Sequence, residues 1–78
     1  MISVSEARKI AENYLGDGYK LKKEVVWDDG EYYIFGYEEV IEEPPVGVDK
    51  ATGKPIAYTI PLRLKHKNIQ KLIIDPTE

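Results

Sequence analysis

The stretch Val48-Asp49-Lys50-Ala51-Thr52-Gly53-Lys54-Pro55-Ile56 constrains the fold more than any other part of the chain. Val46 and Val48 lead in, Asp49 has a side chain able to cap a turn, Gly53 can take a positive φ, and an alternating strand leaves. That pattern spells a β-hairpin, and a hairpin commits the chain to an antiparallel sheet. Asp28-Asp29-Gly30 predicts a second hairpin, with Asp29-Gly30 suited to a type I′ turn. A sheet needs cover on at least one face, and residues 3 to 15 supply it. Ser3 and Glu6 form an S-x-x-E capping box, with Ser5 as the other candidate cap. Val4, Ala7, Ile10, Ala11, Tyr14 and Leu15 recur at helical spacing, while Arg8, Lys9, Glu12 and Asn13 fall on the wet face. Gly16 and Gly18 stop the helix.

The remaining segments read as strands of unequal character. Tyr19 to Trp27 alternates, with Tyr19, Leu21, Val25 and Trp27 on one face and Lys23 as the exception. Glu31 to Ile41 is apolar on both faces: Tyr32 and Ile34 point one way, Tyr33, Phe35 and Tyr37 the other. Glu42-Glu43-Pro44-Pro45 ends it, because consecutive prolines cannot continue a ladder. The strand leaving the hairpin carries Ile56, Tyr58, Ile60, Leu62 and Leu64 on one face, with Pro61 implying an edge or a bulge. Residues 68 to 75 fit either a short helix capped by Asn68 or a strand through Leu72-Ile73-Ile74, and the spacing of Ile69, Leu72 and Ile73 favours the helix turn. Pro76-Thr77-Glu78 is expected to fray. The predicted architecture is a single α+β domain spanning residues 1–78: one N-terminal helix on an antiparallel sheet of about four strands, with a short C-terminal element.

Composition narrows the function classes. With 78 residues there is room for one modest core, and 32% charged residues argue for a soluble chain. There is no cysteine, so disulfides and thiolate metal sites are excluded. Met1-Ile2-Ser3-Val4-Ser5-Glu6 has neither a basic nor an apolar leader pattern, and no apolar run approaches a membrane span, so a cytoplasmic location without membrane association is expected. His66, between Lys65 and Lys67, is the only histidine and has no partner for a catalytic dyad. Ser3 and Ser5 are accounted for as caps. The carboxylates sit in runs typical of a solvated surface, no calcium-loop spacing is present, and Gly16-Asp17-Gly18 lacks the Lys and Ser/Thr of a phosphate loop. Neither an enzyme nor a cofactor is expected.

The net charge of −3 conceals a segregation. From Glu24 to Asp49 there are nine acidic side chains and no Lys or Arg; from Lys50 to Lys71 there are six basic ones and no acid. The two blocks can pair across the sheet, or they can leave an acidic face and a basic strip for partners. One helix of about thirteen residues covers one sheet face, hardly both. The aromatics it leaves uncovered fall to the C-terminal segment, a homodimer mate or another protein. Trp27, Tyr33, Phe35 and Tyr37, rimmed by Glu38, Glu39, Glu42 and Glu43, form the candidate protein-binding patch, suited to a basic partner. The alternative is a sheet-based nucleic-acid surface on the strip Arg63, Lys65, Lys67 and Lys71; against it stands the acidic charge overall, and a charged edge that discourages strand addition explains the strip equally.

The helix Ser5-Glu6-Ala7-Arg8-Lys9-Ile10-Ala11-Glu12-Asn13-Tyr14-Leu15, the central aromatic strand and the Val48-Asp49-Lys50-Ala51-Thr52-Gly53-Lys54 hairpin resemble the YrhB-like immunity-protein family of small cytoplasmic bacterial proteins. The same order of elements and the D-x-x-T-G turn also resemble the PepSY-type domain. Together these segments cover most of residues 3 to 60. Where the immunity family has a Gly-Asn-Gly-Pro-like approach to its hairpin, this chain has Glu43-Pro44-Pro45-Val46-Gly47. Either resemblance implies a binding or inhibitory module, of the immunity type or encoded by a phage, rather than an enzyme.

Overall fold

The computed structural model describes residues 1–65 and 69–73. Helix α1 spans Val4–Leu15, followed by β1 (Val25–Asp28), β2 (Tyr32–Phe35), β3 (Val46–Asp49), β4 (Pro55–Ala57), helix α2 (Ile60–Lys65) and β5 (Gln70–Ile73). The strands form one sheet in the order β4-β3-β2-β1-β5, every neighbouring pair antiparallel. The expected α+β class is therefore the one found, with five strands rather than about four.

Helix α1 starts where its cap chemistry places it. The Glu6 amide donates to Ser3 Oγ at 3.1 Å, which makes Ser3, not Ser5, the N-cap. Gly16, at φ 75°, closes the other end by donating its amide to Glu12 O. The helix lies against β2, β3 and β4. Ala7 and Ala11 are fully buried beneath it and let the helix backbone approach Val26, Phe35, Val46 and Val48, which share one sheet face. Leu21 completes this core, and Ile2, Val4, Ile10, Leu15, Tyr33, Tyr37 and Leu72 pack around it. Tyr14, expected in the apolar stripe, is half exposed instead.

The hairpin between β3 and β4 follows its sequence closely. Asp49 Oδ1 accepts the amides of Ala51 and Thr52, Asp49 O accepts that of Gly53 at 2.8 Å, and Gly53 takes φ 75°. A Cβ at Gly53 would meet Ile10 Cδ1 at 3.3 Å, so the turn also seats the middle of α1. The other turn departs from expectation: only Gly30 has a positive φ, whereas a type I′ turn needs two. Asp29 Oδ1 takes the amides of Glu31 and Tyr32 at 2.8 and 2.6 Å, so a side chain closes the turn.

Four segments correct the reading of the sequence, each for a physical reason. The strand expected over 19–27 is broken by a bend at Lys23 and Glu24; Leu21 forms only an isolated bridge with Tyr37 before β1 begins at Val25. Unbroken alternation would have aimed Lys23 along the same face as Leu21, whereas the bulge turns both Leu21 and Val26 into the core. Arg8, expected on the wet face, is half-buried and donates to the carbonyls of Lys22 and Lys23 at 2.9 and 3.0 Å, with its guanidinium 5.4 Å from the Phe35 ring centroid. The second strand ends at Phe35, not Ile41.

The strand expected to run on to Lys65 ends at Ala57, and residues 60–65 turn into α2. Pro61 is the cause: it has no amide for a ladder, but the first turn of a helix needs none there. Arg63 N donates to Thr59 O at 3.1 Å, closing that turn. Residues 70–73, expected as a helix turn, are strand β5, paired along β1 from Val25↔Ile73 to Asp28↔Gln70. The expected Asn68 cap, His66, Lys67 and the C-terminal Pro76-Thr77-Glu78 lie outside the described residues.

Phe35 is the largest fully buried side chain. Phe35→Ala should therefore lower stability by about 3–5 kcal/mol, a large share of what so small a domain possesses. A denaturant titration read against wild type measures this directly.

Candidate protein interface

The eight residues expected to form one patch separate into three environments. Phe35 is core and cannot present a surface while the domain is folded, a correction that follows from α1 covering the Phe35 face rather than leaving it bare. Tyr33 shares that face, half-buried against the core, and Lys50 Nζ stands 4.8 Å from its ring centroid. Trp27 lies on the opposite face, paired with Ile34, its ring over Gly36, where a Cβ would come within 3.2 Å of it. Lys22 Nζ sits 5.6 Å from the Trp27 ring. Tyr37, at the margin of the core, is joined by exposed Glu38, Glu39, Glu42 and Glu43. Of the eight, only the four glutamates are exposed.

The segment that carries them is anchored at both ends. Lys22 N donates to Gly36 O at 2.9 Å and Glu38 N to Lys20 O at 2.8 Å, fixing 36–38 against 20–22. At the far end Tyr37 Oη donates to Pro44 O at 2.8 Å, and Tyr19 Oη donates to Glu43 Oε1 at 2.9 Å. The Tyr19 and Tyr37 rings face each other with centroids 5.9 Å apart, inclined at 48°. Between these anchors Val40 is fully exposed and Ile41 is exposed beside it. Bonding to the Glu43 carboxylate and its charge push the Tyr19 phenol above its ordinary range. Desolvation, followed by the Glu43 charge, does the same to Tyr37. Sequence reasoning passed over Tyr19, Val40 and Ile41, although an apolar pair flanked by four glutamates and closed off by two prolines is a readable anomaly.

The basic strip is dispersed. Arg63 and Lys65 belong to α2, Lys71 lies on β5 opposite Trp27, and Lys67 is outside the described residues. The alternating row that would have tracked a nucleic-acid backbone had presupposed a strand where α2 stands. One pair joins the acidic and basic blocks among the described residues: Lys50 Nζ to Asp28 Oδ2 at 2.6 Å. The exposed glutamates of 38–43 are left facing solvent. No described helix is long and apolar enough to cross a membrane.

A buried polar cluster lies away from this surface. Asp29, 8% exposed, receives the Tyr58 hydroxyl on Oδ2 at 2.5 Å while its other oxygen closes the turn. The Tyr58 ring lies on Gly47, where a Cβ would meet Cδ2 at 3.0 Å, and meets the Tyr32 ring edge-on at 6.0 Å. Burial, then the hydrogen bond to Asp29, pushes the Tyr58 phenol far above the usual tyrosine range. No local pattern announces a contact between residues so far apart in sequence.

Comparison with protein-family models, curated proteins and solved structures finds no match for this chain.

The Tyr58 phenol should ionise only well above the ordinary tyrosine range. Above the ordinary value of 10.0 the folded chain keeps a proton that the unfolded chain loses, so stability falls as pH rises beyond it. Tyr58→Phe should flatten that alkaline slope and, by removing a donor from a buried carboxylate, cost about 1–3 kcal/mol at neutral pH. Near-ultraviolet absorbance titration and pH-dependent melting read the two effects.

Proposed function

We propose that this chain is a non-catalytic binding or inhibitor module that docks a basic segment of another protein on its 38–43 loop. One observation carries the reading: an anchored loop holds Val40 and Ile41 in solvent between Glu38, Glu39, Glu42 and Glu43. Exposed aliphatic side chains supply contact area that gains from leaving water. The surrounding carboxylates supply a field that attracts cations and repels acidic chains. Arrangements of this kind select partners by charge and hold them by apolar contact. The resemblance of the helix and hairpin to the immunity-type and PepSY-type modules supports the same class. A cytoplasmic setting fits this reading, and a homodimer is less well served, since two acidic loops repel.

Titration with a lysine- and arginine-rich peptide tests it. Binding should weaken as salt is raised, and an acidic peptide of equal length should not bind. Glu38→Lys with Glu42→Lys should leave stability within about 0.5 kcal/mol of wild type while slowing association. Equal binding of acidic and basic peptides would sink the proposal.

A further inference from the structure

The loop borders a small cleft whose chemistry is more specific than a charged surface. It is about 100 Å³ in volume and is lined by Gly18, Tyr19, Lys20, Tyr37, Glu39 and Ile41. Tyr19 and Tyr37 form its aromatic side, their inclined rings held in place by the bonds to Glu43 and Pro44. Glu39 brings a carboxylate to the lining itself, and Ile41 closes the apolar side. Gly18, at φ 98°, turns the chain at the cleft without placing a side chain in it.

We infer that this cleft receives the cationic end of a lysine side chain from the docked segment. Its volume suits the end of one unbranched side chain rather than a folded element. Aromatic faces attract a cation through their quadrupole, and a carboxylate at the same site completes the charge. Ile41 matches the methylene stem that a lysine carries behind its charge. Lys20 also lines the cleft and brings a competing positive charge, outweighed by the four glutamates of 38–43. The phenol hydroxyls of Tyr19 and Tyr37 are directed at Glu43 and Pro44, so the anchoring bonds do not require the rings to move when the cleft fills. This inference rests on the binding reading above but is separable from it.

The test uses an alanine-based peptide carrying lysines, and the same peptide with every lysine acetylated, followed by amide chemical shifts and affinity. The lysine peptide should shift Gly18, Tyr19 and Ile41, and the acetylated one should not. Tyr19→Leu, at an exposed position that leaves the core intact, should weaken binding by about tenfold, whereas Tyr19→Phe, which keeps the ring, should retain most of it. If the lysine peptide binds Tyr19→Leu as tightly as wild type, the cleft assignment is overturned and the acidic-loop reading stands. Absence of binding by any basic peptide overturns both.

Discussion

A twelve-residue helix is about 18 Å long, and among the described residues it alone packs as a helix against a sheet of five strands spaced about 4.8 Å apart. It can cover one face, and the rest of the structure follows from how the other face and the uncovered end are managed. On the covered face the match is tight: two alanines beneath the helix allow contact with valines and Phe35. On the other face no described helix packs, and glycines stand there instead. Gly47 receives the Tyr58 ring and Gly36 the Trp27 ring. Large aromatics laid over glycine supply apolar cover where no helix does.

The bulge at residues 22–24 is the second consequence. A strand continuing straight from Leu21 would have pointed lysine into the core, and the break that avoids this leaves two carbonyls without ladder partners. Arg8 satisfies both and stacks against Phe35 at the same time. A helix residue thus fixes the point at which 19–22 joins the sheet. That point determines where Tyr19 stands relative to Tyr37, because the bridge between Leu21 and Tyr37 is the pairing next to the aromatic pair. Core alternation, bulge, arginine clamp and surface cleft form one chain of dependence.

How much of this was legible depended on whether the signal was local. The Ser3 cap, the Gly16 stop, the Asp49 turn and the existence of both hairpins involve residues within a few positions of one another, and they were read from sequence. The α2 helix and β5 were not, because Ile60-Pro61-Leu62-Arg63-Leu64 satisfies a period of two and also fits a single helical turn, and 70–73 acquires its strand character only by pairing with β1. The face occupied by Phe35 was likewise undecidable from alternation when both sides of β2 are aromatic. Of the candidate patch the four glutamates are exposed and Tyr37 is half-buried, while Phe35 is buried, for that one reason. Tyr19 was read as a strand residue, whereas its contact with the Tyr37 ring comes from a neighbour brought close by the bulge.

The charge segregation has a division of labour that the fold makes explicit. Asp28 lies next to the hairpin turn and meets Lys50 across β2, so the junction between the acidic and basic blocks is neutralised where both side chains are largely withdrawn from water. Farther along β2 the strand gives out after Phe35; there, among the described residues, the carboxylates form no ion pair and remain in solvent. Surface ion pairs add little to stability, so the domain loses little by leaving these unpaired. What the arrangement adds is a localised negative field over an aromatic cleft.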